Sequence, residues 1–166
     1  MNEVYSASDR FGGLTSQDLN STEQESVIAL ALTVLAQRHQ RGKPIGSSSD
    51  TRRYLRVWLG ERRTETFGSL YLDSQHRVLE CQELFRGTID GAAVYPRVLV
   101  QEALQLNAAA VVLFHNHPSG IAEPSRSDQV ITERLRAALA LVDVRVLDHV
   151  VVAAGESVSF AERGLL

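Results

Sequence analysis

Residues 115–128, with the sequence HNHPSGIAEPSRSD, decide the interpretation of this 166-residue chain. They place two histidines, His115 and His117, directly after an apolar segment, and a carboxylate, Asp128, eleven residues beyond the second histidine. Three such side chains can bind zinc at three vertices of a tetrahedron and leave the fourth vertex open to water. Because an open vertex is typical of catalytic rather than structural zinc sites, the stretch predicts a hydrolase.

The composition is that of one ordinary soluble domain, with 44% hydrophobic and 22% charged residues. A formal net charge of -3 gives no overall attraction to nucleic acid or to an acidic membrane surface. Residues 1–20 lack the basic and apolar regions of a signal peptide, and no apolar run approaches the ~20 residues that span a bilayer. We therefore expect a cytoplasmic protein without a membrane partner.

Two further features of composition limit the chemistry. Cys81 is the only cysteine, which excludes an intrachain disulfide and a cysteine-based zinc site. We expect it to pack as a small apolar residue near a strand rather than to act as a nucleophile. Five arginines form a local basic cluster that we interpret as a solvated helix surface, with a nucleic-acid contact left open: Arg52, Arg53, Arg56, Arg62 and Arg63.

Three segments divide the chain. Residues 1–20 are rich in Ser, Gly, Asn and Asp without an apolar period, which predicts a flexible leader. Residues 21–43 are predicted to form an N-terminal helix and linker, beginning at the capping sequence STEQ (21–24) and ending at Gly42-Lys43-Pro44. Residues 44–166 are predicted to form the catalytic unit.

Helix and strand patterns alternate through residues 44–166. Ser49-Asp50 is expected to cap a helix that ends at Gly60 and has an apolar side of Tyr54, Leu55, Trp58 and Leu59. The remaining predicted elements are a strand hairpin at 66–72 and 78–85, a helix from Pro96 to about Leu106, a strand at 108–114, a helix from about Ser125 to Leu141, and strands at 144–153 and 157–160. The last helix is predicted to turn four apolar residues inward: Val130, Ile131, Leu135 and Leu139. This alternation predicts an α/β sandwich with a mixed sheet.

The residues alone leave the site open. Alternate residues of a strand project to one side, so His115 and His117 can converge, although they could equally be polar residues of a turn. Ser125 and Asp128 have the spacing of a helix-capping pair, which is compatible with a ligand role for the carboxylate. A general base is also needed, and spacing does not choose Glu65 over Glu61, Glu80 or Glu83.

The spacing His115-x-His117, seven residues, Ser125, two residues, Asp128 resembles the JAMM motif of MPN-type zinc metallopeptidases. The flanking sequence is similar to the bacterial RadC family over about Pro44 to Leu166. The segments that carry this similarity are LFHNHPSG (113–120) with Pro124-Ser125, LFRGT (84–88), VYPR (94–97) and LDH (147–149).

The resemblance implies a role for each site residue. His115, His117 and Asp128 match the three Zn²⁺ ligands, and Ser125 matches the serine that stabilises the oxyanion. JAMM proteins carry a glutamate in a Glu-x-x-Gly pattern before an apolar strand, and Glu65 fits that pattern as the general base. The implied architecture is the MPN (JAMM) fold, a layered sandwich similar in layout to cytidine deaminases.

The implied function is a zinc metallopeptidase-like hydrolase in which metal-activated water attacks a peptide or isopeptide carbonyl, with an unidentified peptide or protein as substrate. The alternative is a DNA-repair or DNA-processing role, which the acidic charge balance does not support. A nucleoside deaminase would need His-x-Glu and Pro-Cys-x-x-Cys sequences, which the chain lacks. A non-catalytic MPN scaffold would be expected to lose a ligand, and all three are present.

Two departures from the family pattern stand out. The chain is expected to be a short form without the N-terminal helix-hairpin-helix region, which puts DNA contacts through that region in doubt. Val98 stands where the family usually has an acidic residue.

Among the other polar residues, Asp148 and His149 could orient a metal ligand, but a histidine satisfied inside the fold is the favoured interpretation. His39 and His76 are predicted to lie on the surface.

Overall fold

The polar turn at residues 73–77 joins the first two strands, β1 (Thr66–Leu72) and β2 (Val78–Arg86), into the predicted antiparallel hairpin. The Asp73 carboxylate shapes this turn, because it accepts hydrogen bonds from the backbone N–H groups of Gln75 and Arg77. The computed structural model describes residues 15–38, 47–59, 62–87 and 94–166.

Within the described residues the chain forms four α-helices, five strands and a 3₁₀ helix at Ser16–Asp18. Besides β1 and β2, the elements in chain order are α1 (Ser21–Arg38), α2 (Ser48–Leu59), α3 (Pro96–Gln105), β3 (Ala110–Asn116), α4 (Arg126–Ala140), β4 (Arg145–Ala153) and β5 (Glu156–Ser159).

The strands form one sheet in the order β2-β1-β3-β4-β5. β3 and β4 are parallel and are connected through α4, whereas the other neighbouring strands are antiparallel. A parallel pair needs a long crossover, which α4 provides. The predicted α/β class with a mixed sheet is therefore confirmed.

Helices cover both faces of the central strand β3, which explains its continuous apolar sequence. Phe114 packs on the side of α2, where the edge of Trp58 meets its ring at a centroid distance of 5.5 Å. Leu113 packs on the opposite side, with Leu99 of α3 and Leu135 of α4. Because side chains alternate along the strand, the next residue after Phe114 points toward α4.

Two helices begin earlier than predicted. In α1 the Asn20 side chain accepts a hydrogen bond from the Glu23 N–H at 3.0 Å, and the Glu23 carboxylate accepts one from the Asn20 N–H at 2.9 Å. In α2 the Ser47 hydroxyl accepts a hydrogen bond from the Asp50 N–H at 3.1 Å. Each cap therefore precedes the predicted one, because the carboxylate three residues into the helix selects the capping residue.

Some predicted features lie outside the described residues. These are residues 1–14 of the leader, His39, the helix end at Gly42-Lys43-Pro44, and Gly60. Among the described residues, no helix combines the length and apolar character needed to cross a membrane.

The inner face of α4 differs from the predicted one. Leu135 and Leu139 are fully buried, as expected, but Val130 is 58% exposed, so its predicted inward orientation is wrong. Asp128 and Thr132 are buried instead, and they share the helical face of Leu135 and Leu139. Because these two inner positions carry polar residues, the spacing of apolar residues alone did not identify the buried face of α4.

The arginine cluster is not only a solvated surface. Arg52 of α2 pairs with Glu162 at 2.5 Å. Arg62 forms a short ion pair with Glu83, and its guanidinium lies 4.6 Å from the centroid of the Trp58 ring. These contacts hold α2 and the segment that follows it to the rest of the domain, so the interpretation of those two arginines is corrected.

Candidate metal centre

His115 and His117 lie where β3 leaves the sheet. The strand extends to Asn116, two residues beyond its predicted end, so His115 is part of β3 and is 1% exposed. The His117 N–H continues the hydrogen bonding toward β4 by donating to the Val152 carbonyl at 2.8 Å. Both imidazoles therefore project to the same side, toward the start of α4.

Asp128 lies in the first turn of α4 and belongs to the predicted capping box, which is confirmed. The Ser125 hydroxyl accepts a hydrogen bond from the Asp128 N–H at 3.1 Å, and the Asp128 carboxylate accepts one from the Ser125 N–H at 2.6 Å. Gly120, at φ 86°, helps to reverse the intervening loop. The cap thus fixes the carboxylate at the end of the loop that begins with the histidines.

The structure brings these three side chains together. His115 Nε2 lies 2.9 Å from His117 Nε2 and 3.2 Å from Asp128 Oδ1, and His117 Nε2 lies 3.3 Å from Asp128 Oδ2. One ligand atom from each residue can be chosen so that the three atoms lie within 4.8 Å of one another. Two ligands about 2.0–2.1 Å from zinc at tetrahedral angles are about 3.3 Å apart, so the spacing fits a zinc-sized cation.

The charges of the cluster also suit a cation. Burial would raise the pKa of the Asp128 carboxyl, but its contacts with His115, His117 and Ser125 outweigh burial and lower that pKa well below its usual range. The carboxylate is therefore ionised, which is the form that binds a metal. The His117 ring is oriented through its other nitrogen, because Nδ1 lies 2.9 Å from the Ile121 carbonyl oxygen.

Glu65 lies beside this cluster. It lines one pocket together with Arg63, Thr64, Gly87, His117, Pro118 and Ser119. Asp128 raises the pKa of His117 most strongly, and the negative charge of Glu65 contributes to the same shift. The backbone carbonyl of Glu65 accepts a hydrogen bond from the Gly87 N–H at 2.7 Å. The carboxylate of Glu65 forms no hydrogen bond or ion pair within the described residues. The carboxylate is thus available to a bound molecule.

The other candidate glutamates have different surroundings. Glu83 forms ion pairs with Arg62 and Arg86, and Glu80 is exposed on β2. Glu61 lies outside the described residues. Neither Glu80 nor Glu83 lines the pocket that Glu65 shares with His117, so this geometry favours Glu65 among the described residues.

Ser125 is exposed at the N-terminus of α4. Its oxygen accepts the Asp128 N–H, and its hydroxyl also interacts with the Asp128 carboxyl, whose pKa it helps to lower. A hydroxyl can turn its single hydrogen to another oxygen atom that approaches it. Ser125 therefore combines a structural contact with a rotatable hydroxyl at the edge of the cluster.

Three buried residues support the cluster in ways that the sequence analysis did not predict or did not favour. His149 Nε2 lies 2.8 Å from His115 Nδ1, so this histidine is satisfied inside the fold and also contacts a predicted ligand. Thr132 contacts the other nitrogen of His149. Asn116 was assigned no role from the sequence, yet it is 3% exposed and bonds to the segment that carries Glu65.

Three other polar residues lie apart from the predicted metal ligands. The Asp148 carboxylate accepts hydrogen bonds from the Ser159 hydroxyl at 2.6 Å and the Ala161 N–H at 3.0 Å, so it anchors the C-terminal turn. Cys81 lies in β2, where burial raises the pKa of its thiol to about 12, which opposes a nucleophilic role. His76 lies in the β1–β2 turn and is partly exposed.

Comparison with known proteins gives a consistent family assignment. Residues 45–165 match the family model described as RadC-like JAB domain. A UPF0758 protein of Halorhodospira halophila is 53% identical over 149 residues, which cover 90% of this chain and 66% of that protein. A UPF0758 protein of Methylibium petroleiphilum is 50% identical over 173 residues, covering 95% of this chain and 78% of that protein.

A UPF0758 protein of Vibrio cholerae is 54% identical over 143 residues, covering 86% of this chain and 90% of that protein. Other relatives are longer, and the match spans 66% of the Halorhodospira protein and 63% of a relative from Marinobacter nauticus. The names of these relatives state no activity. The five-stranded mixed sheet with its helices is consistent with a JAB/MPN-type fold.

Proposed function

The chain belongs to the RadC-like JAB domain family, and on that premise we propose that it is a zinc-dependent hydrolase that cleaves a peptide or isopeptide bond. One observation carries the proposal: the ligand atoms of His115, His117 and Asp128 lie within 4.8 Å of one another. A carboxylate that can serve as a base, Glu65, lines the pocket beside them.

A zinc ion bound by these three residues would supply a Lewis acid that polarises a carbonyl and lowers the pKa of water. Glu65 is the proposed general base. Its carboxylate accepts a proton from the attacking water, whose oxygen forms a bond to the carbonyl carbon. Glu65 then donates that proton to the amine as the C–N bond breaks, so no other acid is required.

Ser125 is the proposed donor to the oxyanion. When water adds to a carbonyl, negative charge develops on the carbonyl oxygen, and a fixed hydroxyl donor stabilises that charge. The Asp128 N–H donates to the Ser125 oxygen and fixes its position, and the hydroxyl hydrogen would be donated to the oxyanion. The helix cap therefore fixes the donor and the carboxylate ligand in one arrangement.

The test combines metal analysis with a cleavage assay. Purified protein incubated with Zn²⁺ is expected to retain about one zinc per chain and to cleave members of a library of peptides and isopeptide-linked peptides. A chelator should abolish cleavage and added Zn²⁺ should restore it. His117→Ala is expected to lose zinc and cleavage together.

The matched control is His76→Asn, which removes an imidazole from the β1–β2 turn at a residue with φ 57°, a conformation that asparagine tolerates. It is expected to keep both zinc and cleavage. A wild type that binds no metal would refute the metal centre. A wild type that binds zinc but cleaves no library member would refute the peptidase assignment and leave the metal centre intact.

A further inference from the structure

A chain of buried side chains runs behind His115, on the side of the ring opposite His117 and Asp128. His149 Nε2 lies 2.8 Å from His115 Nδ1, and His149 Nδ1 lies 2.6 Å from Thr132 Oγ1. Thr132 Oγ1 in turn lies 2.5 Å from the backbone carbonyl oxygen of Asp128. His149 is 0% and Thr132 2% exposed, so water does not compete for these contacts.

The carbonyl oxygen at the end of this chain fixes the direction of every hydrogen bond in it. A carbonyl only accepts, so the single hydroxyl hydrogen of Thr132 is donated to Asp128. The Thr132 oxygen must then accept the second contact, which places a proton on His149 Nδ1. A neutral His149 has no other ring proton, so its Nε2 accepts from His115 Nδ1, and a neutral His115 then has its lone pair on Nε2.

The surroundings of His149 support the neutral form. Its ring stacks on Phe160 at a centroid distance of 4.7 Å and meets the edge of Phe67 at 5.5 Å. None of its hydrogen bonds among the described residues is to a carboxylate. Burying a charged imidazolium in such a position without a hydrogen-bonded counter-ion would be costly.

The second histidine of the cluster has the same arrangement. His117 Nδ1 faces the Ile121 carbonyl oxygen at 2.9 Å, so in the neutral ring, the form that binds a metal, this nitrogen carries the proton and Nε2 carries the lone pair. The two Nε2 atoms are only 2.9 Å apart. Two lone pairs at that distance repel each other unless a cation lies near both, so this pair of tautomers suits a metal.

We infer that Thr132 and His149 are positioning residues that hold His115 in the Nδ1–H tautomer, with its Nε2 lone pair directed at the cation site. Neither residue is among the three predicted ligands. Outer partners of this kind set the tautomer and the ring orientation of a metal-binding histidine. The role rests on the proposed metal centre, whereas the hydrogen-bond arrangement itself does not.

The arrangement can be tested directly by nuclear magnetic resonance. In protein labelled with ¹⁵N-histidine, two-bond ¹⁵N–¹H correlations distinguish protonated from unprotonated ring nitrogens. The signals of His149 are assigned by their loss in His149→Gln. We expect a protonated Nδ1 and an unprotonated Nε2 for His149, both without metal and after addition of Zn²⁺.

The positioning role is tested by zinc affinity, measured by competition with a chromophoric chelator. Thr132→Val keeps the shape of the side chain but removes the hydroxyl, and it is expected to weaken zinc binding by about 10–100-fold. Thr132→Ser retains the hydroxyl and should stay near the wild-type affinity. Thr51→Val is the matched control, because Thr51 is a buried threonine of α2 whose hydroxyl donates to the Ser47 carbonyl at 3.3 Å.

Thermal unfolding checks that each variant is folded. A protonated Nε2 on His149 would overturn the inference, as would a Thr132→Val protein that binds zinc as tightly as Thr132→Ser. An equal loss of affinity in Thr51→Val would also overturn it, because the effect would then be general. If the wild type had no affinity for zinc, the metal centre would be refuted and the affinity comparison would not apply. The protonation of the His149 ring nitrogens would then be the one remaining test of the hydrogen-bond arrangement.

Discussion

Asn116 and Thr66 are joined by a buried hydrogen bond of 2.7 Å, in which the Thr66 N–H donates to the carboxamide oxygen of Asn116. The same carboxamide donates to the backbone carbonyls of Arg62 and Thr64, at 3.1 and 3.2 Å. Asn116 stands between the two histidines of the cluster, and the segment that it binds contains Glu65. The end of β3 therefore carries two of the three predicted ligands and also holds the segment with the predicted base.

Asn116→Ala is expected to reduce cleavage while leaving zinc content near that of the wild type, because the segment carrying Glu65 loses its attachment. It should also lower the free energy of unfolding by about 1–3 kcal/mol, since the Thr66 N–H remains buried without its partner. Zinc analysis, cleavage rates and urea unfolding measure the three effects. Asn20→Ala removes a helix cap far from the cluster and should not alter cleavage. An Asn116→Ala protein that cleaves at the wild-type rate would contradict the argument.

Glu65→Gln is expected to keep its zinc and to lose turnover by a factor of about 10²–10⁴, because an amide of the same shape cannot accept the proton. Cleavage rates at saturating zinc, compared with metal content, separate this effect from loss of the ion. Glu80→Gln is the control, since Glu80 is an exposed glutamate of β2. Unchanged turnover in Glu65→Gln would remove Glu65 from the mechanism.

Gly68→Ala is expected to destabilise the fold. A Cβ at Gly68 would collide with the Gln82 carbonyl oxygen and with the Phe114 ring, and the backbone oxygen belongs to the neighbouring strand and cannot move away easily. Overpacking of this kind costs about 1–3 kcal/mol, which urea unfolding would detect. Gly155→Asn is the comparison, because that turn has open space and a φ of 81° that asparagine tolerates. Equal stabilities of the two variants would show that the contact is relieved without cost.

Local signals predicted much of the fold. β1 was predicted at its observed bounds because an apolar run ends at a polar turn, and the hairpin followed from that turn. Local patterns also supported the predicted ligand cluster: the strand period allows His115 and His117 to converge, and the capping spacing from Ser125 places Asp128 at the start of α4. The resemblance to the JAMM motif was needed to choose these three residues as ligands. Each of these inferences used residues close together in the chain.

The supporting residues could not be predicted in the same way. Asn116 contacts Thr66 across 50 residues, His149 contacts His115 across 34, and Thr132 contacts His149 across 17. Such contacts depend on the register between strands and on the rotation of α4, which no local pattern fixes. The same rotation explains the error at Val130, because polar Asp128 and Thr132 occupy inner positions where the period calls for apolar residues.

The Cys81 thiol provides a test of burial that is independent of the metal. Burial raises its pKa to about 12, the charge of Glu80 adds to the shift, and a hydrogen bond with Tyr54 opposes it. In the unfolded chain the thiol pKa is about 8.5. Because the folded pKa is the higher one, the contribution of this group to stability is complete below about pH 8.5 and is lost progressively as the pH rises toward about 12.

We therefore expect the free energy of unfolding of the wild type to fall more steeply than that of Cys81→Ala between about pH 9 and about pH 11. Urea unfolding across that range measures the difference between the two profiles. A downward slope from the tyrosines is expected in both proteins, because burial raises the pKa of Tyr54 and Tyr71, and in the wild type Cys81 adds to both shifts. The native thiol should react slowly with iodoacetamide at about pH 8 and rapidly in urea, since the thiolate is the reactive form. Parallel stability profiles together with fast native alkylation would show that Cys81 is solvated, contrary to its position in β2.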